Sequence, residues 1–460
     1  MRHQNPQPCI QFLGGVGTVT GSKFLVSLGS EKILIDCGLF QGLKELRLQN
    51  WAEFPIDPRS ITAVVLTHAH LDHSGYLPLL VKKGFAGKIY CTPPTRDLSK
   101  IILEDSAEIQ EEDADYANKK GYSKHDPAKP LYTIEDVRRS LRHFTVVPNS
   151  DWFKINDRIK FRFKPNGHIL GSAFIELKIG TTKITFSGDM GRKNPIILNP
   201  SSSPEKTDFL IVESTYGDRL HPNLSPAREL KRIINETLAR KGKLIIPSFA
   251  VGRAQDLLHL LSQLRAQNDI PNVPIYLDSP MGIHATDIFM AHSKWHKLKN
   301  NEVDALGRIA VMVRKQRNSI EIAEKKQSSI IIAGSGMLSG GRVLHHLEKC
   351  LPDERNTVLI VGFQAASTRG RLLKEGIPEL KIHGKYIPVH ARIEEISGLS
   401  AHGDQKEILD WLKQFKTAPK NTFIVHGEPQ ASDALRVCIQ DRLGWNCTIP
   451  KPFDHFILPN

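Results

Sequence analysis

One heptapeptide constrains this chain more than any other stretch: Thr67-His68-Ala69-His70-Leu71-Asp72-His73, directly after the apolar run Ala63-Val64-Val65-Leu66. The run reads as a short buried strand. Imidazoles two residues apart at a strand end converge on one ion once the backbone begins to turn. The aspartate and histidine that follow can face a second ion a few ångströms away. Clustered His and Asp without cysteine suit zinc or a similar borderline divalent metal, with positions left open for water. The remaining ligands must come from elsewhere in the chain.

At 460 residues the chain exceeds the size at which one core keeps growing, which predicts two domains. No apolar run reaches the roughly 20 residues needed to span a bilayer, and the N-terminal residues lack the apolar core of a secretion signal. An intracellular, cytoplasmic protein without membrane association is expected. Cys9, Cys37, Cys91, Cys350, Cys438 and Cys447 lie far apart with no C-x-x-C, so reduced thiols are expected rather than a disulfide framework or a cysteine zinc site. A net charge of +13 points to a polyanionic partner.

Along the chain, ligand-type residues recur at strand ends. The glycine run from Gly14 to Gly21 lacks the Lys-Ser/Thr of a phosphate loop and precedes a strand, so it reads as a tight hairpin. Lys32-Ile33-Leu34-Ile35 ends on Asp36, a carboxylate suited to orienting a metal-bound imidazole. After a helix over residues 74–83 and a charged helical stretch over residues 99–142, strand alternation restarts at Ile159 and leads to His168. Two further strands end on Asp189 and on Glu213. From about Ser225 helices alternate with short strands, and Ile330-Ile331-Ile332-Ala333 and Thr357-Val358-Leu359-Ile360 read as buried parallel strands of a second, α/β domain. The strand pattern returns at residues 391–394, followed by His402, a helix, and a strand ending on His426. The middle domain therefore reads as an insertion.

The set T-H-x-H-x-D-H, with Asp36 before it and His168 and Asp189 after it, resembles the metallo-β-lactamase superfamily. Glu213, His402 and His426 are similar to the three extra motifs of its β-CASP branch, which comprises nucleases of the cleavage-and-polyadenylation and ribonuclease J type. The runs Ser248-Phe249-Ala250-Val251-Gly252-Arg253, Gly334-Ser335-Gly336-Met337 and Gly362-Phe363-Gln364-Ala365 extend the resemblance over nearly the whole chain. It implies an α/β protein: a metallo-β-lactamase αββα sandwich in residues 1–208 and 391–460, with an inserted α/β β-CASP domain in residues 209–390. With no appended RNA-binding domain at either end, the chain looks like a minimal prokaryotic member. Histidine at the last motif position, His426, favours RNA over DNA.

Carried over position by position, the resemblance implies two Zn2+. His68, His70 and His168 would hold one, Asp72, His73 and His426 the other, and Asp189 would bridge them, with Asp36 behind the ligands. His402 is implied as the general acid, kept charged by Glu213, and Asp72 as a carrier for the proton of the attacking water. Ser400, Arg253, Arg369 and Arg371 are candidate phosphate contacts. The expected activity is hydrolysis of single-stranded RNA in a cleft between the domains, as endonuclease or 5′→3′ exonuclease. Homo-oligomerisation is left open. Two alternatives stand beside it: a hydrolase of small thioesters or lactones, disfavoured by the insertion, by His402 and Glu213 and by the basic charge; and an RNA-binding scaffold without activity, which would need missing ligands, and none is missing.

Overall fold

The computed structural model describes residues 7–121, 126–147, 151–222, 224–362, 364 and 368–459; Phe363 and Ala365 of the third motif run lie outside the described residues. It divides into two compact units. The first comprises Met1–Pro195, Asn199–Leu220 and His402–Asn460, the second Ile196–Leu198 and His221–Ala401.

The first unit is a sandwich of two sheets, each seven-stranded among the described residues. One runs in spatial order His455–Ile457, Cys9–Gly14, Lys23–Leu28, Glu31–Ile35, Ala63–Val65, Lys88–Cys91, Phe144–Val146. The other runs Cys447–Thr448, Asn421–Val425, Phe209–Glu213, Thr182–Phe186, Ala173–Ile179, Ile159–Pro165, Phe153–Lys154. Side chains alternate across the pleat, so each strand supplies two layers. Ile10, Phe12, Phe24, Val26, Val65, Phe161, Phe163, Leu177, Phe186 and Phe423 meet in the buried layer between the sheets. The intervening Leu25, Leu34, Val64 and Ile89 face outward onto Leu77, Leu80, Leu103 and Val137 of the covering helices. On the far side, Phe174, Leu210, Val212 and Ile424 pack against Ile408, Trp411, Leu412, Leu435 and Ile439. These layers, helix on sheet on sheet on helix, are the expected αββα order. The acidic stretch expected to be helical forms Pro93–Lys120 and Ile134–Leu141.

The second unit holds a six-stranded sheet in the order Val311–Met312, Ile275–Asp278, Ile330–Ala333, Leu244–Pro247, Thr357–Ile360, Arg392–Glu395, with every pairing parallel. Its inner strands Leu244–Pro247, Ile330–Ala333 and Thr357–Ile360 are fully buried and largely apolar, as expected of parallel strands covered on both faces. At the end of its strand Ile275–Asp278, Asp278, fully buried, accepts from Ser319 Oγ at 2.5 Å and Arg342 Nη1 at 2.9 Å and pairs with His346 Nε2 at 2.7 Å.

Strand pairing sets the boundary between the units differently from the sequence pattern. Phe209–Glu213 lies between Thr182–Phe186 and Asn421–Val425, so it belongs to the first unit's sheet. Arg392–Glu395 pairs with Thr357–Ile360 and so closes the second unit's sheet, and the chain returns to the sandwich only at His402. Local alternation marks a strand without naming its sheet. The Gly14–Gly21 run does connect antiparallel neighbours, Cys9–Gly14 and Lys23–Leu28, but as a longer loop than a two-residue turn.

Phe161→Ala removes a ring packed against Tyr90, Phe153 and Phe163 in the sandwich layer. It is expected to cost this unit about 3–5 kcal/mol, read as a lower denaturant midpoint of its transition.

Candidate active site

The loops at one end of both sheets bring the ligand-type residues together. His68 follows strand Ala63–Val65, and Leu71–Ser74 is a single helical turn that swings Asp72 and His73 back toward it. Gly38 makes this close return feasible: a Cβ there would sit 1.6 Å from the Asp72 carbonyl oxygen. Gly191 plays the same part where the loop after Thr182–Phe186 crosses the His168 loop, since a Cβ would lie 2.1 Å from the Gly167 carbonyl carbon. Asn166 ties these two loops with one amide, its Nδ2 donating to Ser187 O at 3.0 Å and Asp189 O at 2.7 Å.

Two ligand sets result. His68, His70, His168 and Asp189 form one, and Asp72, His73, His426 and Asp189 the other; within each set one donor atom per residue lies within 4.8 Å of the rest. In the first, His70 Nδ1 stands 3.1 Å from both His68 Nε2 and His168 Nε2. In the second, His73 Nε2 is 3.2 Å from His426 Nε2, which is 3.3 Å from Asp72 Oδ2. Asp189 faces both, with Oδ2 3.5 Å from His68 and His168 and Oδ1 3.1 Å from His73.

The outer contacts determine which nitrogen faces inward. Asp36 accepts from Thr67 N at 2.7 Å and Thr67 Oγ1 at 2.8 Å, and His73 Nδ1 lies 2.7 Å from its Oδ2. A carboxylate only accepts, so His73 Nδ1 carries a proton and Nε2 is the nitrogen turned toward the other ligands, free to bind a metal once its own proton leaves. Thr67 Oγ1, its own proton given to Asp36, can only accept from His68 Nδ1 at 3.0 Å. Thr215 Oγ1 donates to the His426 carbonyl and so accepts from His426 Nδ1, both at 3.2 Å. His168 Nδ1 is buried without a hydrogen-bond partner.

Imidazole nitrogens facing one another at 3.1–3.2 Å repel through their lone pairs unless a proton or a metal cation lies between them. Donors bound to one ion at about 2.0–2.1 Å stand roughly 3.3 Å apart in a tetrahedron. The nitrogen and carboxylate donors here therefore fit zinc. The titration behaviour agrees. Burial drives His68 and His168 well below the usual imidazole value, and His70 below it as well. Burial opposes charge on His73 too, but Asp189, Asp36 and Asp72 outweigh it and raise that ring well above the usual value. The cluster calls for positive charge at its centre.

Beside it, His402 Nδ1 lies 3.1 Å from Glu213 Oε1, and His402 Nε2 lies 3.9 Å from Asp189 Oδ2. Glu213 is held by Met190 N at 2.5 Å and Thr215 N at 3.0 Å. Burial works against a charged His402, yet Glu213, with Asp189 and Asp72, holds its pKa up at about 9. Two residues here are in the left-handed region, Asp36 at φ 58° and His426 at φ 49°, conformations that cost a non-glycine residue and recur at functional sites.

The remaining candidates lie in the second unit. Arg253 is buried and ion-paired to Asp256 at 2.8 Å. Arg369 donates to the carbonyls of Lys381, Leu338 and Ser339 and so spends its fork on the backbone. Arg371 is exposed and pairs with Glu375 at 2.6 Å. Ser400 follows the short 3-10 turn Ser397–Leu399. Sequence reading missed Thr67, Thr215, Asn166, Ser172, whose Oγ accepts from His168 N, and the Gly15 carbonyl, which accepts from His426 N at 2.7 Å. The first two adjoin ligand-type residues at strand ends, the one signal that could have flagged them.

An αββα sandwich with a buried His/Asp cluster at its loop end, and an α/β unit inserted before His402, defines a metal-dependent hydrolase. Family models match as the metallo-β-lactamase superfamily over residues 17–247, the β-CASP domain over 254–373, and a Zn-dependent metallo-hydrolase RNA specificity domain over 386–450. The chain is similar to "Ribonuclease TTHA0252" of Thermus thermophilus, 34% identical over 92% of this chain and 94% of that one. It is also similar to "RNase J-like protein" of Methanocaldococcus jannaschii, 33% identical over 94% and 95%. "Transcription termination factor FttA" of that organism is 34% identical over 91% of this chain and 67% of its own length. A crystal structure of a protein of unknown function from Enterococcus faecalis shares the fold, with a TM-score of 0.54 at 13% identity over 98% of this chain and all of that one. The chain belongs to the metallo-β-lactamase superfamily, in its β-CASP branch.

Asp36→Asn leaves the size of the side chain but loses an acceptor for the His73 ring. Metal affinity is expected to fall by about 10–100-fold, measured by zinc titration against a competing chelator; an unchanged affinity would show that Asp36 does not position His73.

Proposed function

We propose that the protein is a two-zinc ribonuclease that hydrolyses phosphodiester bonds of single-stranded RNA. The observation that carries this reading is the His402–Glu213 pair beside Asp189, the carboxylate common to both ligand sets. His68, His70 and His168 would hold one ion, Asp72, His73 and His426 the other, with Asp189 shared. When bound, two such ions supply a nucleophile at neutral pH and positive charge for the phosphorane-like transition state.

The chain's own residues supply the rest. The ribose oxygen leaves poorly unless it is protonated as its bond to phosphorus breaks, and His402 Nε2 is the donor on the site side of the ring. Glu213, fixed by two backbone N–H groups, holds the Nδ1 side and the positive charge. Asp72, 17% exposed and the ligand-set carboxylate nearest solvent, can take up the proton of the attacking water. Asp36, Thr67 and Thr215 keep the rings in the orientation that binding requires. RNA as substrate is supported by the names of the relatives and by the net charge of +13. Of the phosphate contacts considered above, Arg253 and Arg369 are committed to Asp256 and to backbone carbonyls, whereas Arg371 is exposed and its exposed partner Glu375 can yield it to a phosphate.

Zinc-loaded protein is expected to cut labelled single-stranded RNA and to spare single-stranded DNA and a thioester; turnover of the thioester alone would overturn the proposal. A ladder from 5′-labelled RNA marks an endonuclease, and released mononucleotide a 5′→3′ exonuclease. His402→Ala is expected to retain its zinc and lose about 10²–10⁴ of the cleavage rate; loss of metal in that variant would make His402 a ligand instead.

A general acid acts in its protonated form. With the His402 pKa raised, the charged ring is present below that value, and activity is lost as pH rises through it. With cations on Asp189 and Asp72, Glu213 is the support that remains. Glu213→Gln is therefore expected to move the basic limb of the pH–rate profile to lower pH, and an unmoved limb would detach Glu213 from the proton transfer.

A further inference from the structure

The second unit carries another group of metal-type side chains, unconnected with the ligand sets above. Helix Val343–Cys350 presents His345 and Glu348, three residues apart and hence on one face. Its neighbour His346 points the other way, into the core and onto Asp278. Facing His345 and Glu348 is His383, in the two-residue turn that joins strands Glu379–Ile382 and Lys385–Pro388. His383 Nδ1 lies 3.3 Å from Glu348 Oε2, and the rings of His345 and His383 are 5.0 Å apart between centroids. One donor atom from each of the three residues falls within 4.8 Å of the others.

The turn gives a second reason to single out His383. Both turn residues have positive φ, 47° at His383 and 81° at Gly384, the conformation of a type I′ turn. The first position of that turn is best filled by Asn, Asp or Gly. An imidazole there aims across at the helix instead. His345 is half-buried, while the side chains of Glu348 and His383 are 25% and 42% exposed, so an ion can enter from solvent. The competing charge is Lys385, whose Nζ is 3.8 Å from Glu348 Oε1, the oxygen that does not face His383.

We propose that His345, Glu348 and His383 form a binding site for a borderline divalent cation, zinc by its donor set of two imidazoles and one carboxylate, with the fourth position left to water. Such an ion clamps the hairpin of residues 379–388 onto the helix. Arg369 extends the clamp, since its guanidinium bonds the Lys381 carbonyl on the hairpin and the carbonyls of Leu338 and Ser339. The site thus ties the hairpin and helix to the loop after strand Ile330–Ala333. Its role is structural, and the reaction does not pass through it.

His383→Asn is the informative variant, because Asn-Gly suits the turn and keeps the hairpin while removing the imidazole. Metal-stripped wild type, H383N and E348Q are titrated with Zn2+ against a chromophoric chelator, and their thermal midpoints are compared in chelator and in zinc. Both variants are expected to bind one equivalent fewer than wild type, or to bind it at least tenfold more weakly, while keeping the wild-type midpoint in chelator and the wild-type RNA-cleavage rate. The result is read as a difference from wild type, so it stands whatever number of ions the His68–His426 cluster takes. Retention of the full wild-type zinc count at wild-type affinity by either variant would overturn the proposal.

Discussion

Asp189 is the group on which the rest of the site depends. Its carboxylate is buried at 2% exposure, with five imidazoles, those of His68, His73, His168, His402 and His426, at 3.1–3.9 Å. A buried carboxylate is expensive unless positive charge meets it. Imidazole lone pairs turned toward one another carry a cost of the same kind. Bound metal between them would remove both costs, and the donor sets converge where it would sit. Asp36, Thr67 and Thr215 do the preparatory work by taking the protons on the far sides of the rings.

The sandwich accounts for how such a cluster can be built. Strand ends from both sheets open on one edge, and each loop adds a donor or two. His73 and His426, 353 residues apart in sequence, come within 3.2 Å because strand Asn421–Val425 pairs next to Phe209–Glu213 and the Gly15 carbonyl takes the His426 amide. The same pairing fixes Glu213, and a bridge between Gly191 and His402 brings His402 onto the first unit as well, on the same scaffold as the ligands. The contacting pair Glu213 and His402 is thus held by one framework.

Much of the site was legible from residue types. Histidines and carboxylates after apolar strands are costly to place without a purpose, so His68, His70, Asp72, His73, His168, Asp189, Glu213, His402 and His426 could be picked out, and the structure brings all nine to one end of the sandwich. Less visible were the groups that work through hydrogen bonds. A threonine such as Thr67 or a carbonyl such as that of Gly15 has no distinctive signature, because its role depends entirely on what comes to lie beside it. The arginines show the converse. Arg253 and Arg369 have the chemistry of phosphate contacts, but burial and backbone partners engage them elsewhere.

The sequence by itself determined the donor inventory of the His68–His73 stretch, the alternation that separates inner from outer layers, and the existence of an inserted α/β segment. These are local properties, readable from side-chain chemistry and from periods of two and 3.6 residues. Only the tertiary structure decided which sheet each strand joins, hence where the insertion begins and ends, and which nitrogen of each histidine faces inward. Both depend on contacts between residues far apart in the chain: hydrogen-bonded neighbours choose a strand's sheet, and Asp36, Thr67 and Thr215 choose the tautomers. The heptapeptide supplied four of the seven donors, and the fold added and aimed the rest.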